Sequence, residues 1–259
     1  MIKEISFNEL TSLAKPFLQK QKRQDALLIR ILSNGKAFSK NGLCRIYTVT
    51  KKEKLCGFAL IYSGFLTLWL KGNPDIKELC FFINSAPITS MEASKKIVQK
   101  LKRYLSFDET RGKILYWENP PEAKPKNRVF ETENVSDFYD TISLSHPSYK
   151  DTSYEQFYCD VFYRKEIPAR LFLLECDGKN SATAAIMHRF DKTSILSDIS
   201  VMPDMRRRGL AAEIVNFVAK DVTDKGDLAI LFCVSPAAMR LYDKLGFKLQ
   251  QKFSVLTLK

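Results

Sequence analysis

The sequence predicts an α/β (α+β) protein of two domains, residues 1–130 and 131–259, each a mixed, mostly antiparallel sheet flanked by helices. Three observations carry this. Strand-like and helix-like apolar periodicities alternate in the same order in both halves of the 259 residues. The stretch from Glu118 to Lys126 is Pro-rich and charged, the composition of a linker. The charge is also divided: residues 1–130 hold 24 Lys and Arg against 11 Asp and Glu, net +13, while 131–259 carry a net −1.

In the first half, 7–17 and 24–32 read as helices, with Asn34-Gly35 expected to end the second. Strand candidates follow at 44–49, 55–62 and 65–70, turned by Lys51–Lys54 and Ser63-Gly64. Pro74 and Asp75 open a helix to Ser85, with Ile76, Leu79, Cys80 and Ile83 on one side. A short strand at 88–91, a helix at 94–105 and a strand at 113–117 complete the half.

The second half opens with helices at 135–144 and 153–165, separated by Ser-His-Pro-Ser-Tyr. Strands at 170–176, 182–189 and 194–201 come next, joined by Asp177-Gly178 and Asp191-Lys192. A helix led by Gly209 follows, then a buried-type strand at 228–234. The helix 236–245 has Pro at its start and Gly246 at its end, and the strand 247–258 closes the pattern.

Composition narrows the function classes. Met1–Ile5 has no signal-peptide core, and the apolar run 58–70 is too short for a bilayer, so a cytoplasmic protein without membrane association is expected. The six cysteines lack paired spacing and read as reduced core thiols. With two histidines, no His-based triad or metal site is expected. The lysines of the basic half are scattered, without a dense run or aromatic RNA-binding motif, which disfavours nucleic acid as the partner.

One stretch carries the chemistry: Ser197-Asp198-Ile199-Ser200-Val201, the turn Met202–Met205, then Arg206-Arg207-Arg208-Gly209-Leu210-Ala211. A strand runs into a basic turn and a Gly-led amphipathic helix with Leu210, Ile214, Phe217, Val218 and Val222 on one face. The first helical N–H groups lack intrahelical partners, and glycine lets a ligand approach them, so the junction is an anion cradle in outline. Three arginines at a positive helix end are unfavourable by about 0.3–1 kcal/mol each, a sign that a bound anion would reverse.

Val201-Met202-Pro203 followed by Arg206-x-x-Gly209-x-Ala211 resembles the central motif of the GNAT superfamily of acyl-CoA-dependent N-acyltransferases. Ala238-Met239-Arg240-Leu241-Tyr242-Asp243-Lys244-Leu245-Gly246-Phe247 is similar to the family's second signature. The resemblance covers about 131–259; the first half looks like a degenerate GNAT-like copy, with Lys71-Gly72-Asn73-Pro74 where the motif would stand. It implies a catalytic second domain, and a non-catalytic first domain shaping the acceptor cleft.

By this resemblance, Ile199, Ser200 and Val201 pair with the pantetheine arm of acetyl-CoA, and Arg206, Arg207, Arg208, Gly209, Leu210 and Ala211 hold its pyrophosphate. Tyr242 is the acid that protonates the departing thiolate, while Ser235 and Ala238 complete the cofactor side, Ser235 replacing the usual Asn. The base stays open between a water chain through Ser197 and Asp198. Asp198 alternates to the other strand face unless a bulge re-aims it.

The implied reaction moves an acetyl group from acetyl-CoA to a primary amine, on a small molecule or a peptide, by direct attack in a ternary complex without a metal. The alternatives are a tandem GNAT-fold transferase using aminoacyl-tRNA, and a non-catalytic module binding acyl-CoA or a polyanion. Acceptor identity, acyl length and oligomeric state are left open by the sequence.

Overall fold

A computed structural model describes residues 1–19, 25–122 and 124–259. The chain divides into two compact units, Met1–Ile114 with Leu249–Lys259, and Leu115–Lys248. The expected boundary near residue 130 does not coincide with this division, which falls inside a strand, and the last strand returns to the first unit. Packing explains it. Fully buried Leu256 joins Leu68 and Met91 in the first unit's core. Trp117, before the linker, packs its ring 4.6 Å from that of Phe247 in the second unit. Ala123 of the expected linker lies outside the described residues.

The first unit begins with β1 (Ile2–Ile5), α1 (Phe7–Gln19) and α2 (Ala26–Phe38). The expected start of α2 at Gln24 lies outside the described residues, and Asp25 caps the helix by accepting from the Leu27 N–H at 3.1 Å. The expected stop at Asn34-Gly35 is corrected, because α2 runs through both to Phe38. Gly35 is there for closeness: a Cβ would stand 2.9 Å from the Phe7 ring. Burial of that contact outweighs the roughly 1 kcal/mol cost of helical glycine.

Next come β2 (Cys44–Lys51), β3 (Lys54–Tyr62), β4 (Phe65–Leu70), α3 (Ile76–Ser85), β5 (Ser90–Ser94) and α4 (Lys95–Leu101). The Ser63-Gly64 turn has both φ angles positive, 47° and 75°, the requirement of a tight two-residue hairpin. The strand β6 (Phe107–Trp117) passes from the first unit into the second. Strand order in the first unit is β1-β2-β3-β4-β5-β12, where β12 is Lys248–Leu258. β4 and β5 are parallel from Phe65↔Ser90 to Leu68↔Ala93, and β12 is antiparallel to β5. Inside, Glu92 is 1% exposed and paired with Arg30 at 2.5 Å, and Thr67 donates to it at 3.0 Å.

The second unit contains β7 (Arg128–Thr132), α5 (Val135–Ser145), α6 (Tyr154–Phe162), β8 (Arg170–Cys176), β9 (Lys179–Phe190), β10 (Thr193–Val201), α7 (Leu210–Asp224), β11 (Leu228–Cys233) and α8 (Pro236–Leu245). Its strand order is β11-β10-β9-β8-β7. The edge strands β1 and β7 have no counterpart among the elements expected from sequence. Each is short and half-exposed, so neither shows a clear alternation.

Helix α7 buries Leu210, Ile214, Val218 and Val222 against Phe172, Leu174, Ala184 and Leu196. Such fully buried aliphatic side chains contribute about 1.5–3 kcal/mol each. Phe138 and Ile142 of α5 and Phe157 of α6 pack instead with Leu171, Leu173, Ala185 and Met187. Residues alternate along β8, so its two sets of side chains serve two helical layers. Cys44, Cys56, Cys80, Cys176 and Cys233 are buried in apolar surroundings, whereas Cys159 is exposed on α6. No helix among the described residues is long and apolar enough to cross a membrane.

Candidate functional site

The site is set by how β10 leaves its neighbours. It runs parallel to β11 from Thr193↔Leu228 to Leu196↔Leu231, and beyond that pair the two strands part. On its other side β10 keeps pairing with β9, at Ser200↔Thr183 and Val201↔Ala182. The segment Ser197–Val201 therefore presents main chain on its β11 side to whatever enters between the strands.

The β9–β10 register slips between Ser197 and Ser200, and Asp198 has a left-handed φ of 53°. This is the bulge on which the role of Asp198 depended. It gives Asp198 a set of polar partners. The Tyr149 hydroxyl donates to Asp198 Oδ1 at 2.7 Å, and Ser197 Oγ donates to Oδ2 at 3.0 Å. The Thr183 hydroxyl donates to the Asp198 carbonyl at 2.8 Å, holding the kinked backbone to β9. Ser197 and Asp198 are thus joined in one hydrogen-bonded group.

Tyr149 and His146 are functional candidates that the sequence alone did not single out. The Tyr149 phenol is pushed far above its ordinary range, first by burial and then by the Asp198 charge. It stays protonated and acts as a donor. The half-buried His146 imidazole is held below its ordinary value by burial, with the Asp198 charge pulling the other way. Its ring centroid lies 5.7 Å from that of Tyr149, edge-on. The only sequence signal was a His and a Tyr flanking Pro147 between two helices.

The cradle forms just past the C-terminal end of β10. After a 3₁₀ turn at Pro203–Met205, Arg207 and Gly209 both adopt left-handed φ, 64° and 86°. Gly209 is the N-cap of α7 and supplies no side chain to the first helical N–H groups, those of Leu210, Ala211 and Ala212. A Cβ on Gly209 would meet nothing within 4 Å, so the approach to these groups is open. The acidic residue of the first turn, Glu213, is engaged elsewhere, accepting from the Asn127 Nδ2 at 2.9 Å and from its backbone N–H.

The structure revises how the arginines are accommodated. Arg206 Nε donates to the Val201 carbonyl at 3.1 Å and its Nη2 to the Ser145 carbonyl at 3.0 Å, clamping the turn to α5. Arg208 pairs with Asp177 at 2.9 Å, which raises its pKa above the usual arginine value. Two of the three therefore brace the loop through protein partners. Arg207 is exposed on the left-handed step itself.

Tyr242 lies on α8, 6% exposed, in the cluster that also holds Leu210, Leu231 and Cys233, with Ile199, Val201 and Ala238 packed against it. Burial, then the neighbouring Cys233, push its phenol well above the ordinary value. Such a phenol holds its proton and donates a hydrogen bond as charge develops nearby. Ser235 acts locally, its hydroxyl capping α8 by accepting from the Ala238 N–H at 3.4 Å. The two expected cofactor-side positions therefore bond to each other.

The residues fit an extended anionic thioester carrier such as acetyl-CoA: parted strands, an uncapped helix start, an open glycine and a protonated phenol in one core. Residues 175–255 match the FR47-like protein family model. Among curated proteins, none matches the sequence. Solved structures match along the whole chain. An acetyltransferase of the GNAT family from Colwellia psychrerythraea is 17% identical, with all of both chains covered and a TM-score of 0.63. A GCN5-related N-acetyltransferase from Sphaerobacter thermophilus is 12% identical, covering 99% of this chain and 94% of that one, with a TM-score of 0.66. A tandem GNAT protein from the clavulanic acid biosynthesis pathway is 8% identical, covering 99% and 97%, with a TM-score of 0.61. The chain is thus a protein of the GNAT acetyltransferase fold along its full length, with residues 175–255 similar to the FR47-like family.

Proposed function

We propose that the second unit is an N-acetyltransferase that moves an acetyl group from acetyl-CoA to a primary amine by direct attack. The observation that carries this reading is the bulge at Asp198. It gathers a carboxylate, Ser197 and Tyr149 where β10 parts from β11, on the strand that leads to the Gly209 cradle.

Acetyl-CoA supplies the activated thioester. The uncapped N–H groups of Leu210, Ala211 and Ala212 hold its pyrophosphate, with the dipole of α7 favouring the negative charge. The main chain of Ile199–Val201 aligns the pantetheine arm. Asp198, or a water on Ser197, takes the proton that an ammonium acceptor must lose, since alkylamines near pKa 10.4 are protonated at neutral pH. Tyr149 orients the carboxylate. Tyr242 gives a hydrogen bond to the leaving sulfur, whose reference pKa of about 8.5 lets it depart with little proton transfer.

Free-thiol release from acetyl-CoA across a panel of amines tests the proposal. Turnover with at least one primary amine, lowered in Asp198→Asn and in Tyr242→Phe, is expected. Thiol release that ignores every amine, or that both variants leave unchanged, would overturn it.

A further inference from the structure

The first unit repeats the parted-strand arrangement with different chemistry around it. β4 and β5 pair in parallel as far as Leu68↔Ala93, and the residues just beyond, Trp69–Lys71 and Ser94–Lys96, line a cavity of about 690 Å³. The adjoining helix start is closed to an anion. The Asp75 carboxylate already accepts from the Lys77 and Glu78 N–H groups at 3.0 and 3.2 Å. The N–H groups of Lys71 and Gly72 donate to the Cys56 carbonyl at 2.8 and 3.1 Å. A Cβ on Gly72 would stand 3.0 Å from Cys56 Cα, so this loop is packed down rather than lifted toward a ligand. A diphosphate gripped by backbone N–H groups has no seat here.

The cavity offers a different set of groups. Lys71, Lys95, Lys96 and Lys252 line it together with the carboxylate of Asp25. Four ammonium groups against one carboxylate leave the cavity positive, and that carboxylate is already bound by the Leu27 N–H and, at 3.0 Å, Gln251 Nε2. Trp69, 2% exposed, turns its buried indole N–H toward the Asp25 carboxylate, a contact that favours the charged carboxylate but is too loose for a well-formed hydrogen bond. A buried donor so loosely held can turn to a better-placed acceptor. The apolar lining includes Leu249, which is 49% exposed. The volume lies in the range of small-ligand sites.

We infer that this cavity of the first unit binds a phosphomonoester of nucleoside-monophosphate size. Its phosphate sits among Lys95, Lys96 and Lys252, and its uncharged polar part meets Trp69 Nε1 and Asp25. The site is independent of the acetyl-CoA cradle and does not rest on the transferase reading.

Isothermal titration of the full chain with AMP at low salt tests it, with adenosine, ribose 5-phosphate and inorganic phosphate as parallel probes. Saturable one-to-one binding of AMP is expected. It should weaken about tenfold or more in Lys95→Ala/Lys96→Ala and at high salt, and persist in Gly209→Glu. Both lysines are exposed, so the double variant keeps its fold, checked by circular dichroism. In Trp117→Phe, which leaves Trp69 as the single tryptophan, AMP should change the emission. Absence of AMP binding would overturn the inference. So would AMP binding that survives the lysine changes, vanishes in Gly209→Glu, or leaves Trp69 emission unmoved. Adenosine or inorganic phosphate binding as tightly as AMP would overturn the ligand class. Ribose 5-phosphate matching AMP would support the phosphomonoester and show that the base adds nothing.

Discussion

The Tyr149 hydroxyl donates to the Asp198 carboxylate at 2.7 Å across 49 residues of sequence. This bond fixes the orientation of a carboxylate that a left-handed backbone step has brought into position. Tyr149→Phe removes the donor and keeps the ring, which packs edge-on against Phe157. A net loss of about 1 kcal/mol in stability is expected by chemical denaturation. Thiol release should fall about tenfold, with acetyl-CoA affinity unchanged.

His146 sets a pH dependence. Its folded pKa lies below the free value, so the unfolded chain binds the proton more readily. Stability therefore declines as pH falls from about 6.5 toward the folded pKa, and the contribution is complete above that window. His146→Asn should flatten this part of a melting-temperature profile. Asp198→Asn removes the charge that supports the imidazolium, so the His146 NMR titration should move to lower pH.

At Gly209, the φ of 86° and the open space separate two effects. Gly209→Ala should cost about 1–2 kcal/mol through the left-handed backbone alone, read by thermal unfolding. Gly209→Glu adds a negative charge beside the uncapped N–H groups and should abolish acetyl-CoA binding in calorimetry. Unchanged affinity would sink the cradle assignment.

Tyr242→Phe is expected to lower kcat by about ten- to a hundredfold, the worth of one hydrogen bond to a developing charge, while acetyl-CoA binds as before. Equal kcat for the two proteins would leave the phenol as core packing.

In the first unit, Arg30→Met leaves Glu92 buried without its cation. A loss of about 3–5 kcal/mol is expected from equilibrium unfolding. Restoring a neutral pair with Glu92→Gln in the same chain should recover part of it.

What the sequence made legible was local. Val201-Met202-Pro203, Arg206 and Gly209 act through backbone conformation and adjacent charge, so their spacing exposes the strand, the turn and the helix start. Helix α8 declares itself in the same way, through Pro236 and Gly246. The bulge was not legible, because it depends on where β9 registers against β10, and a slip between Ser197 and Ser200 leaves no mark on composition. Tyr149 was hidden by distance along the chain. Asn34-Gly35 misled for a related reason: the turn signal is intrinsic, while the contact of Gly35 with the Phe7 ring that overrides it is tertiary. The division between the units inside β6 was invisible too, since Ile114 and Leu115 are equally apolar and buried.

The return of β12 to the first unit reverses the order in which the two halves can mature during synthesis. Residues 115–248 form a compact unit that needs nothing from 249–259. The earlier-made half must wait, its β5 edge open, until Phe253–Thr257 emerge to pair with Ser90–Ser94. A chain truncated after residue 248 should thus protect the second unit from protease while the first remains cleavable.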